Sequence, residues 1–254
     1  MRPLLLISLA LIASSAAMAE QWEVSRMPWG DPDIQGIWTS ATITTLDRPD
    51  GLEGLVLTEE QARVLEQNGE DVLESIDDIP EGDLEAGENV GGYNAAWLEP
   101  GTRVLRVNGE PRSSIIVDPE DGHVPYTLWG RGRFYWHGYT FIARHDNPEE
   151  RPLGERCTVG FGSTGGPPML PVLYNNNYQF VQTEDVILIL VEMNHDVRTV
   201  RMVGKPLPKA VRPWLGDSLG HWEGDTLVVR TTGFHLQQNL RAAIKHQFYM
   251  TEDS

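Results

Sequence analysis

The run Val186-Ile187-Leu188-Ile189-Leu190-Val191 constrains this chain more than any other segment. It is apolar at every position and mostly β-branched. Its shortness and branching mark a strand that is apolar on both faces. Such a strand is expected at the centre of a sheet, covered on both sides. Tyr178 to Thr183 precedes it with weak alternation, and Glu184-Asp185 supplies a turn. Asn194-His195-Asp196 supplies the next turn, and Val197 to Val203 returns, so the three segments read as a β-meander. His221-Trp222, Glu223-Gly224-Asp225 and Thr226 to Thr231 read as a further hairpin. Ile37 to Ile43, Ser113 to Val117 ahead of the Asp121-Gly122 turn, and His246 to Met250 are shorter strand candidates. The fold class expected is mainly β, an antiparallel barrel or sandwich with one or two short helices.

Thr58 to Gln67 is the best helix pattern. Thr58 fits the N-cap and Gln61 stands three residues on, the spacing of a capping box. Leu57 and Ala62 occupy the positions of a hydrophobic staple, and Asn68-Gly69 reads as a stop. Residues 70–88 then hold nine acids and no base, which predicts a mobile surface segment. A calcium loop is the alternative there, although the strict EF-hand spacing is absent.

Residues 126–141 carry seven aromatic side chains: Tyr126, Trp129, Phe134, Tyr135, Trp136, Tyr139 and Phe141. Gly130, Gly132 and Gly138 break any long helical period. Two readings compete: an arm packed over the core with arginines stacked on rings, which is favoured, or the aromatic wall of a binding cleft.

The N-terminus reads as a signal peptide over residues 1–19. Arg2 gives the positive start, Leu4 to Ala13 is apolar apart from Ser8, and Ala17-Met18-Ala19 precedes Glu20 as a cleavage pattern. The apolar stretch is shorter than the ~20 residues that span a bilayer. No later run is long and apolar enough, so no stable membrane span is expected. With no cysteine near the cleavage point, a lipid anchor is not expected either. Residues 20–254 are expected as a single β-rich domain, periplasmic or secreted. The net charge of −17 argues against nucleic acid and anionic headgroups as partners. Cys157 is the only cysteine, so no intrachain disulfide can form. An exported chain of this kind must be held by packing, by a ligand or by a partner.

Three segments carry a resemblance. They are Pro32-Asp33-Ile34-Gln35-Gly36-Ile37-Trp38, Tyr174-Asn175-Asn176-Asn177-Tyr178-Gln179 and Gly216-Asp217-Ser218-Leu219-Gly220-His221-Trp222-Glu223-Gly224-Asp225-Thr226-Leu227-Val228-Val229. The chain from about Pro32 onward resembles a family of exported bacterial proteins with no established activity. The resemblance implies no catalytic residues. The aromatic stretch at 126–141 departs from the family pattern. Members of that family run on with further strands, which implies a chain that is C-terminally short and a barrel left open. Gly36-Ile37-Trp38 also resembles the Gly-x-Trp start of lipocalin-like barrels.

Two clusters join acids to histidine at strand ends, where barrels and sandwiches present their loops. In the first, a three-residue Asn194–Asp196 loop would set Glu192 opposite Arg198 as a cross-strand ion pair. A catalytic reading makes Glu192 an acid or base tuned by Arg198, with His195 beside it. The second cluster is His221, Glu223 and Asp225. A metal site would recruit His195, His221 and one of Glu192, Glu223 or Asp225 from separate hairpins. No H-E-x-x-H or His-x-His pair supports it, and neither metal nor cofactor is specified. Ligand contacts are expected from Trp38, Trp136, Tyr174, Asn177, Gln179 and Trp222. Each has a plainer reading, with Asn175-Asn176-Asn177 as turn residues and Trp222 as a core anchor. Cys157 follows Arg156 and is expected as a buried, inert thiol.

Three functions follow. The first is binding of a small-molecule or carbohydrate ligand in an aromatic-lined cleft. The second is a periplasmic hydrolase or lyase using Glu192, His195 and Arg198 with His221. The third is an envelope interaction module that makes contact through residues 70–88. Oligomeric state is not legible.

Overall fold

The computed structural model describes residues 23–77, 97–143, 146–148, 153, 156–159, 165–166, 169–237, 239–242 and 246–250. The chain divides into two compact units, Met1–Asp33 and Ile34–Ser254. In the first, residues 25–33 close a small loop. Asp33 N–H donates to the Ser25 carbonyl at 2.8 Å, and Trp29 Nε1 donates to Asp31 Oδ2 at 3.0 Å. The signal-peptide reading over residues 1–19 lies outside the described residues.

In the second unit the elements run β1 (Gly36–Thr39), α1 (Glu59–Asp77), β2 (Arg106–Val107), β3 (Glu110–Pro111), α2 (Leu128–Ala143), β4 (Asn177–Gln182), β5 (Val186–Val191), β6 (Val197–Arg201), β7 (Asp217–Glu223), β8 (Thr226–Thr232), β9 (Asn239–Ala242) and β10 (His246–Tyr249). Six strands form one curled sheet, a half-barrel in the order β1-β4-β5-β6-β7-β8. The fold is therefore mainly β, with two α-helices among the described residues. The β4-β5-β6 meander and the β7-β8 hairpin stand where the sequence places them. One pairing departs from an antiparallel barrel, since β6 and β7 are parallel, with Val200 opposite Ser218. β10 is the strand expected from His246, but it pairs with β9 in a separate two-stranded sheet. Ser113 to Val117 is not a strand. Its backbone bonds instead to Leu55, Thr45 and Leu46 in the segment before α1.

β5 is central, but only one of its faces is covered among the described residues. Ile187, Ile189 and Val191 are buried, joined by Tyr178 and Val200 on the flanking strands. Leu188 and Leu190 are each 36% exposed, and Val181 and Val197 flank them in the open. An apolar run on both faces thus did not guarantee two covering layers. On the buried face the sheet is tight at Gly220. A Cβ there would stand 2.7 Å from Val200 Cγ1 and 2.8 Å from Met202 Sδ. Any side chain at that position would push these core groups apart.

Both helices correct the sequence reading. α1 starts as expected: Thr58 N–H donates to Gln61 Oε1 at 2.8 Å, and Gln61 N–H donates back to Thr58 Oγ1 at 3.1 Å. Leu57 and Ala62 are both buried in one apolar cluster with Val104. The helix then runs through Asn68-Gly69 to Asp77. A Cβ at Gly69 would stand 3.3 Å from Ile43 Cγ2, so a larger residue there needs Ile43 to give by a few tenths of an ångström. Glycine costs a helix roughly 1 kcal/mol relative to alanine, and the helix carries that cost here. Glu70 to Asp77 is consequently helical, and Asp78 to Glu88 lies outside the described residues. Thr58→Ala is expected to cost about 1 kcal/mol, seen as a lower urea midpoint at unchanged slope.

The aromatic stretch forms α2 rather than an irregular arm. Thr127 caps it, with Oγ1 accepting Gly130 N–H at 3.0 Å. Its rings do not all pack inward, since Trp129 is 60%, Tyr135 69% and Trp136 60% exposed. The expected arginine stacking is present as Arg133 over Trp129, 5.1 Å from the ring centroid.

Candidate functional site

The β5-β6 connection decides where the first cluster points. Val191 N–H donates to the Asp196 carbonyl at 2.8 Å, and Leu190 stands opposite Val197. The loop is therefore Glu192 to His195, one residue longer than the three-residue turn expected. It includes a single 3-10 turn, Met193–His195, with Asn194 at φ 58°. The pairing of Arg198 moves three positions along β5, from Glu192 to Ile189, and an odd register shift turns a side chain to the other face. Arg198 accordingly stands opposite Ile189, on the buried face, and the Glu192–Arg198 ion pair does not form.

Arg198 is instead a structural clamp. Nη1 donates to the Leu215 carbonyl at 2.9 Å and to Ser218 Oγ at 3.1 Å. Nη2 donates to the carbonyls of Gly166, at 2.7 Å, and Gly165. Burial pushes its pKa down to about 10, opposed by the charge of Asp196 and by Tyr178. Burial also raises the Tyr178 hydroxyl, against a hydrogen bond with Ser40 and the charge of Arg198.

Glu192 meets different partners. Its Oε2 accepts from the Asn177 backbone N–H at 3.2 Å and from Asn177 Nδ2 at 3.0 Å. The same Nδ2 reaches Glu99 Oε2 at 3.2 Å. Two exposed carboxylates thus converge on one amide at this end of the sheet. Asn176 fixes that arrangement from beneath. Fully buried, it accepts from Val172 N–H at 2.8 Å and donates to the carbonyls of Val172 and Glu99 at 2.9 and 2.6 Å. Asn175, at φ 58°, makes the turn. The amide triplet is therefore turn chemistry at Asn175, a buried hub at Asn176 and a carboxylate bridge at Asn177. Glu99 carried no signal in the sequence, because its partners lie some 77 residues away.

The second cluster is held by the β7-β8 hairpin. His221 Nε2 and Glu223 Oε1 are 2.9 Å apart, on the sheet's uncovered side, with side chains 60% and 67% exposed. An ion pair this open is screened by solvent and contributes little. Asp225 lies in the turn between Glu223 and Thr226. The two clusters occupy opposite ends of the sheet. Because β6 and β7 are parallel, His221 lies three residues past the level of Val200, whereas Asp196 lies four before it. At about 3.3 Å per residue the separation is on the order of 20 Å. That is too far for one shared centre around His195 and His221. Among the described residues no group of three His, Cys, Asp or Glu side chains could hold a metal ion.

The expected ligand contacts also divide. Trp38 shares the buried face with its cross-strand neighbour Tyr178 but is 54% exposed at the sheet edge, where Nε1 donates to the Ile34 carbonyl. Tyr174 and Trp222 pack against the core cluster. Gln179 is exposed on the opposite face, and Trp136 is on α2. These residues do not make one aromatic wall. Cys157 is exposed, not buried.

Trp222 holds the feature that sequence reasoning missed. The ring is half-buried on the covered face of β7, opposite Leu227 on β8. Its Nε1 is buried and has no acceptor. Nothing in a linear sequence marks an indole that will lack a partner. A buried donor left unpaired costs about 1–3 kcal/mol, so such groups are rare in native proteins.

No protein-family model, no curated protein and no solved structure matches this chain.

Proposed function

We propose that this is an exported binding protein, periplasmic or secreted. It holds a small molecule on the covered face of its curled sheet, around Trp222. The observation that carries the reading is the buried indole N–H with no acceptor. A ligand oxygen would satisfy it, and the half-buried ring offers an apolar face for the rest of the molecule. Met202 and Leu227, which pack on the same core cluster, supply further apolar surface. Hydroxyl-rich ligands such as carbohydrates combine an acceptor with a stackable face. Export rests on the zoned N-terminal sequence of residues 1–19.

Trp222→Phe separates a binding role from a structural one. The variant removes the N–H and keeps an aromatic ring. It is expected to unfold within about 1 kcal/mol of the parent, because the lost donor had no partner. It should also lose most of the thermal shift that the parent shows with its best ligand in a panel of sugars and aromatic acids. An equal ligand-induced shift in both proteins would end the proposal.

A hydrolase is the second reading, and the Glu99–Asn177–Glu192 contact favours it. Both carboxylates bond one nitrogen, so their nearest oxygens lie within about 6 Å, in the range used by glycoside-cleaving pairs. This reading replaces Arg198 and His221 with Glu99. Turnover of chromogenic glycosides that disappears in both Glu99→Gln and Glu192→Gln would support it. Turnover that survives either change would not.

A further inference from the structure

Arg48 is a buried residue whose guanidinium Nε has no hydrogen-bond acceptor. The residue is 9% exposed. Its backbone N–H donates to the Gly122 carbonyl at 3.0 Å. Its side chain lies along Gly122, where a Cβ would stand 3.0 Å from Arg48 Cβ and 3.1 Å from both Cζ and Nε. The guanidinium is thus laid in a cradle that only glycine leaves open. Arg48 Nε is fully buried without an acceptor, and the guanidinium makes no hydrogen bond or ion pair among the described residues. Arg198, which is also buried, has four acceptors. A buried donor left without an acceptor costs about 1–3 kcal/mol. Carboxylates are nevertheless plentiful nearby: Asp47 and Asp50 flank Arg48 in sequence, and Asp118, Glu120 and Asp121 belong to the segment it packs on. Asp121 is engaged locally, with Oδ1 accepting His123 N–H at 2.9 Å. Asp47 Oδ1 accepts Val124 N–H at 3.0 Å.

We propose that Arg48 anchors a site for a monocarboxylate ligand. The Nε edge of a guanidinium is a planar two-donor fork that matches the two oxygens of a carboxylate. Phosphate has the same appetite for arginine but carries close to two charges. Beside five acids, on a chain of net charge −17, a dianion meets twice the repulsion of a monoanion. Leu46 and Val124, two residues from Arg48 and Gly122, belong to an apolar cluster with Leu170, Ile115 and Ile116. That surrounding lowers the local dielectric and strengthens a charge-assisted bond to the fork. This site is independent of Trp222.

The test is thermal unfolding of the full chain in sodium acetate against sodium chloride at equal ionic strength and neutral pH. Acetate is expected to raise Tm saturably by about 5 °C. Arg48→Met should lose that rise and, in chloride alone, melt no lower than the parent, because the donor removed had no acceptor. Arg48→Lys keeps the charge without the fork and should bind acetate about tenfold more weakly. A parent that responds no more to acetate than to chloride overturns the proposal, as does a rise that persists in Arg48→Met. Phosphate binding as tightly as acetate overturns the monocarboxylate assignment. Should Arg48→Met fail to fold, the Arg48 Nε–H resonance of the parent decides. It must move as acetate is added, and a resonance that stays still refutes the site.

Discussion

Arg198→Met is expected to lose about 3–5 kcal/mol of folding stability, a large share of what a domain of this size has. Methionine fills similar space but donates nothing. The carbonyls of Gly165, Gly166 and Leu215 and the Ser218 hydroxyl would lose the donor that now serves all four. Gly165 and Gly166 are buried, so water cannot replace it there without opening the packing. Urea unfolding should show a lower midpoint with the slope nearly unchanged.

The pH dependence of that loss tells a clamp from a catalytic group. Burial holds the folded-state pKa of Arg198 at about 10, below its ordinary value. The unfolded chain therefore binds more protons than the folded one only above about pH 10, and there Arg198 makes stability rise with pH. Below pH 10 both states hold the proton, and the cost of burying the charge is constant. The deficit of Arg198→Met should accordingly be the same at about pH 6 and about pH 9. A deficit that changes across that interval would tie Arg198 to a titrating partner and revive an acid–base role for it.

What was legible in the sequence was local. β5 announces itself through four β-branched residues in six, and the start of α1 through Thr58 and Gln61. The β7-β8 turn is marked by Glu223-Gly224-Asp225. The misses were decided by distant contacts or by single residues. α1 passes Gly69, where Ile43, far back in the chain, lies against it. α2 forms through three glycines because Thr127 caps it and its aromatic residues tolerate a helix well enough. The Glu192–Arg198 pair failed because the loop starts at Glu192 rather than Asn194, which sets Arg198 opposite Ile189; Asn194 and His195 make that turn with positive φ. Sites follow the same rule. His221 and Glu223 are two apart on one strand and do meet. Glu99 finds Asn177, and Arg48 finds Gly122, only once the chain is folded.

Gly101→Ala is expected to cost about 3–4 kcal/mol, combining a left-handed backbone with a backbone clash. Gly101 has φ +83°, and a Cβ there would stand 2.7 Å from Thr42 N, 2.8 Å from Ala41 C and 3.0 Å from Thr42 Cα. These are main-chain atoms, so no rotamer change relieves the overlap. The segments they belong to are also tied together, since the Arg103 carbonyl accepts from Thr42 Oγ1 at 2.8 Å and from Ile43 N–H at 3.1 Å. Relief must come from moving one segment away from the other. Glu99 lies two residues from Gly101, and its carbonyl is held by Asn176 Nδ2. The movement should therefore also part Glu99 from Asn177. Gly109→Ala supplies the comparison. Gly109 has nearly the same φ, +84°, but no atom within 4 Å of its Cβ position. It should lose only the conformational part, about 1–2 kcal/mol. The difference between the two variants in urea midpoint measures the cost of contact alone. Equal losses would mean that the 41–42 and 101 segments separate freely, and that the approach of Glu99 to Asn177 is not imposed by the fold.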